Sequence, residues 1–216
     1  NLHQYQGKEI LSRIGVRIQR GIVAQTADEA VTAAKKLTED TGTGWHVIKA
    51  QVHAGGRGKG GGVKLAKNLD EVKDIAGQII GMDLVTPQTS AEGKRVHQVL
   101  VAEDVYYPGE SETSEFYVSV LLNRATGRNM VMYSTEGGMD IETVQARKVA
   151  FNLGLSGKAF KEMTKFVAAL YKAYVESDSA MFEINPVLKT SDDLIMAVDA
   201  KVTIDDNALY RRKDYL

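Results

Sequence analysis

The chain has 216 residues with 27 basic and 28 acidic side chains and a net charge of −1, totals that give no basic field for nucleic acid. Its lack of cysteine excludes disulfides and thiolate metal sites and fits a reducing compartment. No apolar run approaches a membrane span and no signal peptide precedes Asn1, so we expect a soluble intracellular protein that engages neither membrane nor nucleic acid.

The length allows one large domain or two small ones. Gly7 to Gly15 reads as a short helix with Ile10, Leu11 and Ile14 inward and Gly15 as its stop. Val16 to Ala24 reads as a strand. Thr26-Ala27-Asp28-Glu29 is a capping box that opens a helix to about Asp40, with Ala30, Val31, Ala34 and Leu37 inward.

Val47 to Ala54 alternates as a strand, placing Lys49, Gln51 and His53 on one face and Ile48, Ala50 and Val52 on the other. Residues 55 to 62 then hold six glycines in eight positions, interrupted by Arg57 and Lys59, before Val63-Lys64-Leu65 resumes as a strand. Gly56, Gly58 and Gly61 satisfy G-x-G-x-x-G, but a dinucleotide fingerprint must open a helix, and both flanks here are strand-like. No P-loop pattern fits either. Two readings stand: a glycine flap whose N–H groups and cations close over phosphate with Lys49, or a solvated hairpin tip.

Asn68 caps a helix carrying Leu69, Val72, Ile75, Ala76 and Ile79 and stopped by Gly81, and Val96 to Val105 is a strand. Residues 106 to 114 form an acidic loop with the look of a hinge. Glu115 to Leu122 and Asn129 to Tyr133 pair around Thr126-Gly127, and Gly137-Gly138 reads equally as a backbone approach to ligand or as a plain turn. Val144 to Leu153 and Ala159 to Val175 are helical by periodicity, Phe160, Met163, Phe166, Val167, Leu170 and Tyr174 falling at core spacing. The four histidines lack ligand spacing.

Met181 to Lys189 and Leu194 to Lys201 read as two strands joined at Ser191-Asp192-Asp193. With Thr190 facing Leu194, partner numbers sum to 384, which sets Asn185 opposite Asp199 and Glu183 opposite Lys201. These four polar residues share one face, with Phe182, Ile184, Leu188, Met196 and Val198 on the other. Pro186 marks an edge or a bulge. An amide oxygen and a carboxylate so opposed can meet one hard cation, Mg²⁺ rather than Zn²⁺; the alternative is a solvated polar sheet face.

Four blocks taken together carry a resemblance: Asn1-Leu2-His3-Gln4-Tyr5-Gln6-Gly7-Lys8, Gln51 to Lys59, Ser134-Thr135-Glu136-Gly137-Gly138 and Glu183-Ile184-Asn185-Pro186. In that order they resemble the β subunit of succinyl-CoA synthetase, from the first residue to about Arg212. The resemblance implies an α+β, ATP-grasp fold over 1–216 whose two α+β subdomains clamp a nucleotide, with 18–104 the smaller, lid-bearing subdomain and 1–17 plus 105–216 the larger. It also implies a C-terminal, flavodoxin-like CoA-ligase domain that this chain does not carry, and an acidic segment after Ile141-Glu142 that is missing here.

By the same resemblance, nucleotide would be bound by Lys49, by Gly56, Arg57 and Gly58 of the glycine loop, by Ala102, Glu103 and Val105 at the hinge, and by Glu115 at the ribose. Mg²⁺ would be held by Asn185 and Asp199, and the catalytic Glu183 would lie near a phosphohistidine carried by the α subunit. The implied reaction is Mg²⁺-dependent phosphoryl transfer between ATP/ADP or GTP/GDP and that histidine. In the full heteromer this couples succinyl-CoA and phosphate to succinate and CoA, in the citric acid cycle; the fragment alone would bind nucleotide without making a thioester. Another acid–CoA ligase, such as malate–CoA ligase, and a nucleotide-binding module without turnover are the alternatives. Gln19 leans toward guanine, and the compartment would be the bacterial cytoplasm or the mitochondrial matrix after transit-peptide removal.

Overall fold

The computed structural model describes residues 2–123, 125–135 and 146–212. The chain divides into two compact units, Gln19–Val105 and Asn1–Ile18 with Tyr106–Leu216, each with its own apolar core. Among the described residues no helix is long and apolar enough to cross a membrane.

Helix α1 (Gln4–Arg13) starts earlier than its apolar spacing predicts, because the backbone N–H of His3 donates to the Gln6 side chain and extends the first turn. It ends at Gly15, whose φ of +82° suits glycine. The strand expected from Val16 is cut short: Ile18 makes one parallel bridge to Ala197, while β1 (Gly21–Ala24) belongs to the other unit. One extended stretch thus serves two sheets, and the strand breaks where the chain passes from one unit to the next.

The Gln19–Val105 unit follows with α2 (Ala27–Thr41), β2 (His46–Ala50), β3 (Val63–Ala66), α3 (Leu69–Ile79), β4 (Asp83–Leu84), β5 (Lys94–Arg95) and β6 (Val99–Glu103). Its main sheet runs β1-β6-β2-β3, entirely antiparallel. Thr26 accepts from Glu29 N and Asn68 from Glu71 N, so both helices begin at their predicted caps. Ala30, Ala34 and Leu37 of α2 and Val72, Ala76 and Ile79 of α3 pack over Ile48, Val99 and Val101 of the sheet. The small β4–β5 hairpin lies in the connection that the sequence presents only as polar.

The second unit continues with β7 (Ser114–Asn123), β8 (Arg128–Ser134), α4 (Ala146–Asn152), α5 (Gly157–Glu176), β9 (Ser179–Lys189), β10 (Ile195–Ala197) and β11 (Ala200–Ile204), ending in a 3₁₀ turn, Asp206–Arg211, that the sequence reading missed. Gly137-Gly138 and the start of the helix expected from Val144 lie outside the described residues. The sheet runs β10-β9-β7-β8, with β11 also on β9, so β9 is interior and Pro186 is not on an edge. A bulge accommodates it. Phe116 faces Val187 and Val118 faces Ile184, leaving Asn185 and Pro186 together opposite Tyr117 alone.

That extra residue reverses the side-chain alternation. The core holding Phe182 and Ile184 continues through Val187, Ile195 and Ala197, not through Leu188, Met196 and Val198 as even spacing predicts. Those three are buried, but outside that core. One inserted residue advances the pleat by one, so the residues beyond Pro186 exchange faces.

Candidate functional site

The β9 hairpin keeps a constant register across the bulge. Val187 pairs with Ala197 above it and Ile184 with Ala200 below it, and Val198 N donates to the Pro186 carbonyl at 3.2 Å. Partner numbers sum to 384 on both sides, which sets Asn185 opposite Asp199 where β10 gives way to β11. Asn185 is exposed and Asp199 half-buried, with one Asp199 oxygen accepting from Ala200 N at 2.8 Å. The donor types are hard oxygens, an amide on β9 and a carboxylate in the break between β10 and β11, which would suit Mg²⁺ completed by water and phosphate oxygens. Among the described residues no cluster of three or more His, Asp or Glu forms a metal cage, so any ion here has few protein ligands.

Glu183 pairs with Lys201 on one side and with Ser119 on the other. The Tyr117 hydroxyl donates toward its carboxylate over 3.5 Å, and burial, then the nearby Glu183 charge, hold the Tyr117 phenol above its usual pKa. The Ser119 hydroxyl, fully buried on the same strand, lies beside the Tyr117 phenol and partly offsets that rise. Neither Tyr117 nor Ser119 was singled out from sequence; both lie in a strand whose alternation reads as ordinary packing. Glu115 sits at the start of β7, exposed, and accepts from the Tyr106 hydroxyl at 2.5 Å.

In the other unit, Lys49 lies on β2 opposite Val63 and Leu100, is almost fully buried, and donates through Nζ to Gln19 Oε1. The strand stops at Ala50, short of the expected Ala54, because Gly62 already accepts from Ala50 N and the glycine loop opens there. Arg57 is also buried: its guanidinium donates to the Ala50 carbonyl at 2.8 Å and its own carbonyl accepts from Gly62 N. It closes the loop on itself.

The loop is packed rather than loose. Gly55 N donates to Gln88 Oε1 at 2.8 Å, and a Cβ on Gly60 would run into the Val85 carbonyl. Gly56 and Gly61 need glycine for their positive φ. Gly58 is different: it is exposed, its φ is ordinary, and a Cβ there would meet nothing within 4 Å. No fold requirement fixes glycine at that position.

At the far end of the sheet, Ala102 is fully buried between Gly21 and Val47, Val105 is buried, and the Glu103 carbonyl accepts from Gln19 Nε2 at 2.6 Å. The Glu103 carboxylate accepts from Arg20 N at 2.7 Å. Any contact to a base from Ala102 or Val105 would therefore come from main chain, since their side chains are spent in the core.

The family model of the ATP-grasp domain matches residues 1–147 and 143–189. The chain belongs to the ATP-grasp family. Within it, the chain is 74% identical to the succinate–CoA ligase [ADP-forming] subunit beta of Christiangramia forsetii, in an alignment of 237 positions that takes in all of this chain and 60% of that protein. It is 70% identical to the Flavobacterium johnsoniae protein of the same name, with the same coverage. This ATP-grasp chain thus spans 60% of the length of the curated relatives it matches. An alignment of 237 positions against 216 residues means that the relatives carry a stretch this chain lacks, and the two pieces of the family match meet at 143–147.

Solved structures agree on the fold. A dinucleotide-forming acetyl-coenzyme A synthetase from Ca. Korarchaeum cryptofilum, in complex with coenzyme A and Ca-AMPCP, superposes with a TM-score of 0.68 at 20% identity, over 94% of this chain and 93% of that one. An ATP citrate lyase from Methanothrix soehngenii gives 0.56 at 20% identity, over 91% and 54%. At this identity the likeness is one of ATP-grasp architecture.

Proposed function

We propose that the chain is the nucleotide-binding part of a succinate–CoA ligase β subunit, serving Mg²⁺-dependent phosphoryl transfer between a nucleotide and a histidine of an α subunit. The observation that carries this reading is the similarity, over the whole of this chain and 60% of the relatives' length, to ADP-forming β subunits at 70% identity and above. The opposition of Asn185 and Asp199 supports it independently. Succinate, CoA and the α subunit would be engaged only by the complete heteromer, in the bacterial cytoplasm. The names of the relatives favour ADP over GDP. The guanine lean from Gln19 is weakened further because its amide is bonded within its own unit.

The division of labour follows from the residue chemistry. Mg²⁺, held by Asn185 and Asp199, would supply positive charge to the nucleotide phosphate oxygens when bound. The Lys49 ammonium and the N–H groups around Gly56 and Gly58 counter the charge spread over the migrating phosphoryl oxygens. Arg57, tied to Ala50, shapes the loop that presents those N–H groups. Main chain at Ala102, Glu103 and Val105 receives the base, and Glu115 the ribose. Glu183, a carboxylate beside Tyr117, orients the imidazole that takes the phosphoryl group.

Calorimetric titration of the chain with ADP, with and without Mg²⁺, tests the site. Binding is expected to require Mg²⁺ and to weaken about tenfold or more in Asp199→Ala. No Mg²⁺-dependent binding, or an unchanged Asp199→Ala, overturns it. GDP titrated alongside ADP settles the base, and thioester formation with succinate after reconstitution with a CoA-ligase domain and an α subunit tests the acid substrate.

A further inference from the structure

We propose that Gln88 is a positioning residue for the glycine loop: carried on a segment that packs along the loop, its side-chain oxygen holds Gly55 N–H and so sets where the N–H groups of Gly56 and Gly58 stand. The proposal rests on the reading of those two glycines as phosphate contacts. Residues 84–88 and 55–62 run side by side in opposite directions. A Cβ on Gly62 would come within 2.8 Å of Leu84, one on Gly60 within 2.3 Å of the Val85 carbonyl, one on Gly56 within 3.1 Å of Pro87, and one on Gly55 within 2.6 Å of the Gln88 amide. Glycine at these positions lets the two segments approach this closely.

The segment that presents Gln88 is itself fixed. Leu84 is fully buried at the end of β4, and Thr86 is buried two residues on. Thr86 N donates to the Thr89 hydroxyl at 2.9 Å, Thr89 N to the Thr86 carbonyl at 3.1 Å and Gln88 N to the Thr86 hydroxyl at 3.1 Å, so the turn is closed by its own side chains. Gly55 N can only donate, so the Gln88 atom 2.8 Å from it is Oε1. Lys94, at the start of β5, donates to the His53 carbonyl at 2.9 Å and ties down the approach to the loop from the same connection. Within the loop, the N–H groups of Lys59, Gly60, Gly61 and Gly62 go to the carbonyls of Gly56, Arg57 and Gly58. Those of Gly56 and Gly58, both exposed, meet no acceptor among the described residues. The loop thus spends four N–H groups on its own closure and one on Gln88, and keeps two for a ligand.

Gln88→Met keeps the side-chain length and removes the acceptor. In the full chain, amide exchange followed by NMR is expected to quicken at Gly55 while β2 and β6 keep their protection, and calorimetric titration should show MgADP bound about three- to tenfold more weakly. Gln88→Glu, whose carboxylate still accepts, should restore slow exchange at Gly55. Should Gln88→Met not fold, Gln88→Ala replaces it in both measurements. Unchanged exchange at Gly55, exchange that quickens equally in β2 and β6, or MgADP bound as tightly as by wild type or tighter overturns the role of Gln88. If wild type binds no MgADP, or Gly58→Ala binds it as wild type does, the reading of the loop as a phosphate site falls, and the role of Gln88 with it. If Gly58→Ala weakens binding and Gln88→Met does not, the role of Gln88 alone falls.

Discussion

Gly58 and Gly60 stand two residues apart in one loop and are glycine for different reasons. A side chain at Gly60 collides with backbone at Val85, so Gly60→Ala is expected to lower stability by about 1–3 kcal/mol in chemical denaturation. Gly58→Ala should stay within about 0.5 kcal/mol of wild type, since nothing lies within 4 Å of the added methyl. If ligand phosphate approaches Gly58 main chain, the same variant should lose MgADP affinity while keeping its stability; equal affinity would remove Gly58 from the site. Asp178 offers a residue-scale test by pH. Hydrogen bonds from Arg211 and from Arg212 hold its carboxyl down to about 2. Because the folded value is depressed, the stabilisation is complete above the unfolded carboxyl pKa of about 4 and is lost as pH falls toward 2. Asp178→Asn should therefore flatten the acid limb of a stability–pH profile over that window.

Helices and strands differ in how far their local sequence commits them. Thr26 and Asn68 each bond the N–H three residues on, and α2 and α3 begin where those side chains say. Thr26→Ala should cost about 1 kcal/mol in equilibrium unfolding, and Thr26→Ser should restore most of it. Strands were legible in register but not in extent. The sum of 384 across the β9 hairpin follows from the three-residue loop alone, yet the exchange of faces beyond Pro186 depends on Phe116 and Val118 pairing across the bulge, on a strand some seventy residues earlier. A proline signals a missing donor; whether the sheet answers with an edge or a bulge is decided by the neighbouring strand.

At the scale of the molecule, two apolar cores belong to two units. Ile48 and Val101 sit in one, Phe182 and Leu170 in the other, and among the described residues none is common to both. Ile48→Ala, at a fully buried position, should cost about 2–5 kcal/mol. That loss is expected to fall on amide protection of β1, β2 and β6 while leaving β7 and β9 protected, as hydrogen exchange resolved by residue would register. Loss of protection in both units at once would mean that they unfold as one.

The sequence by itself determined where α2 and α3 begin, the register of the β9 hairpin and the placement of Lys49 ahead of the glycine loop, because caps, loop length and alternation act over a few residues. The family followed from four short blocks in order. Only the tertiary structure decided that Arg57 turns inward to Ala50, that Gly55 and Gly60 press against Gln88 and Val85, and that Gln19 joins Glu103 to Lys49. Each of those joins residues that local spacing does not relate, and a buried polar group takes whichever partner the packing brings within about 3 Å.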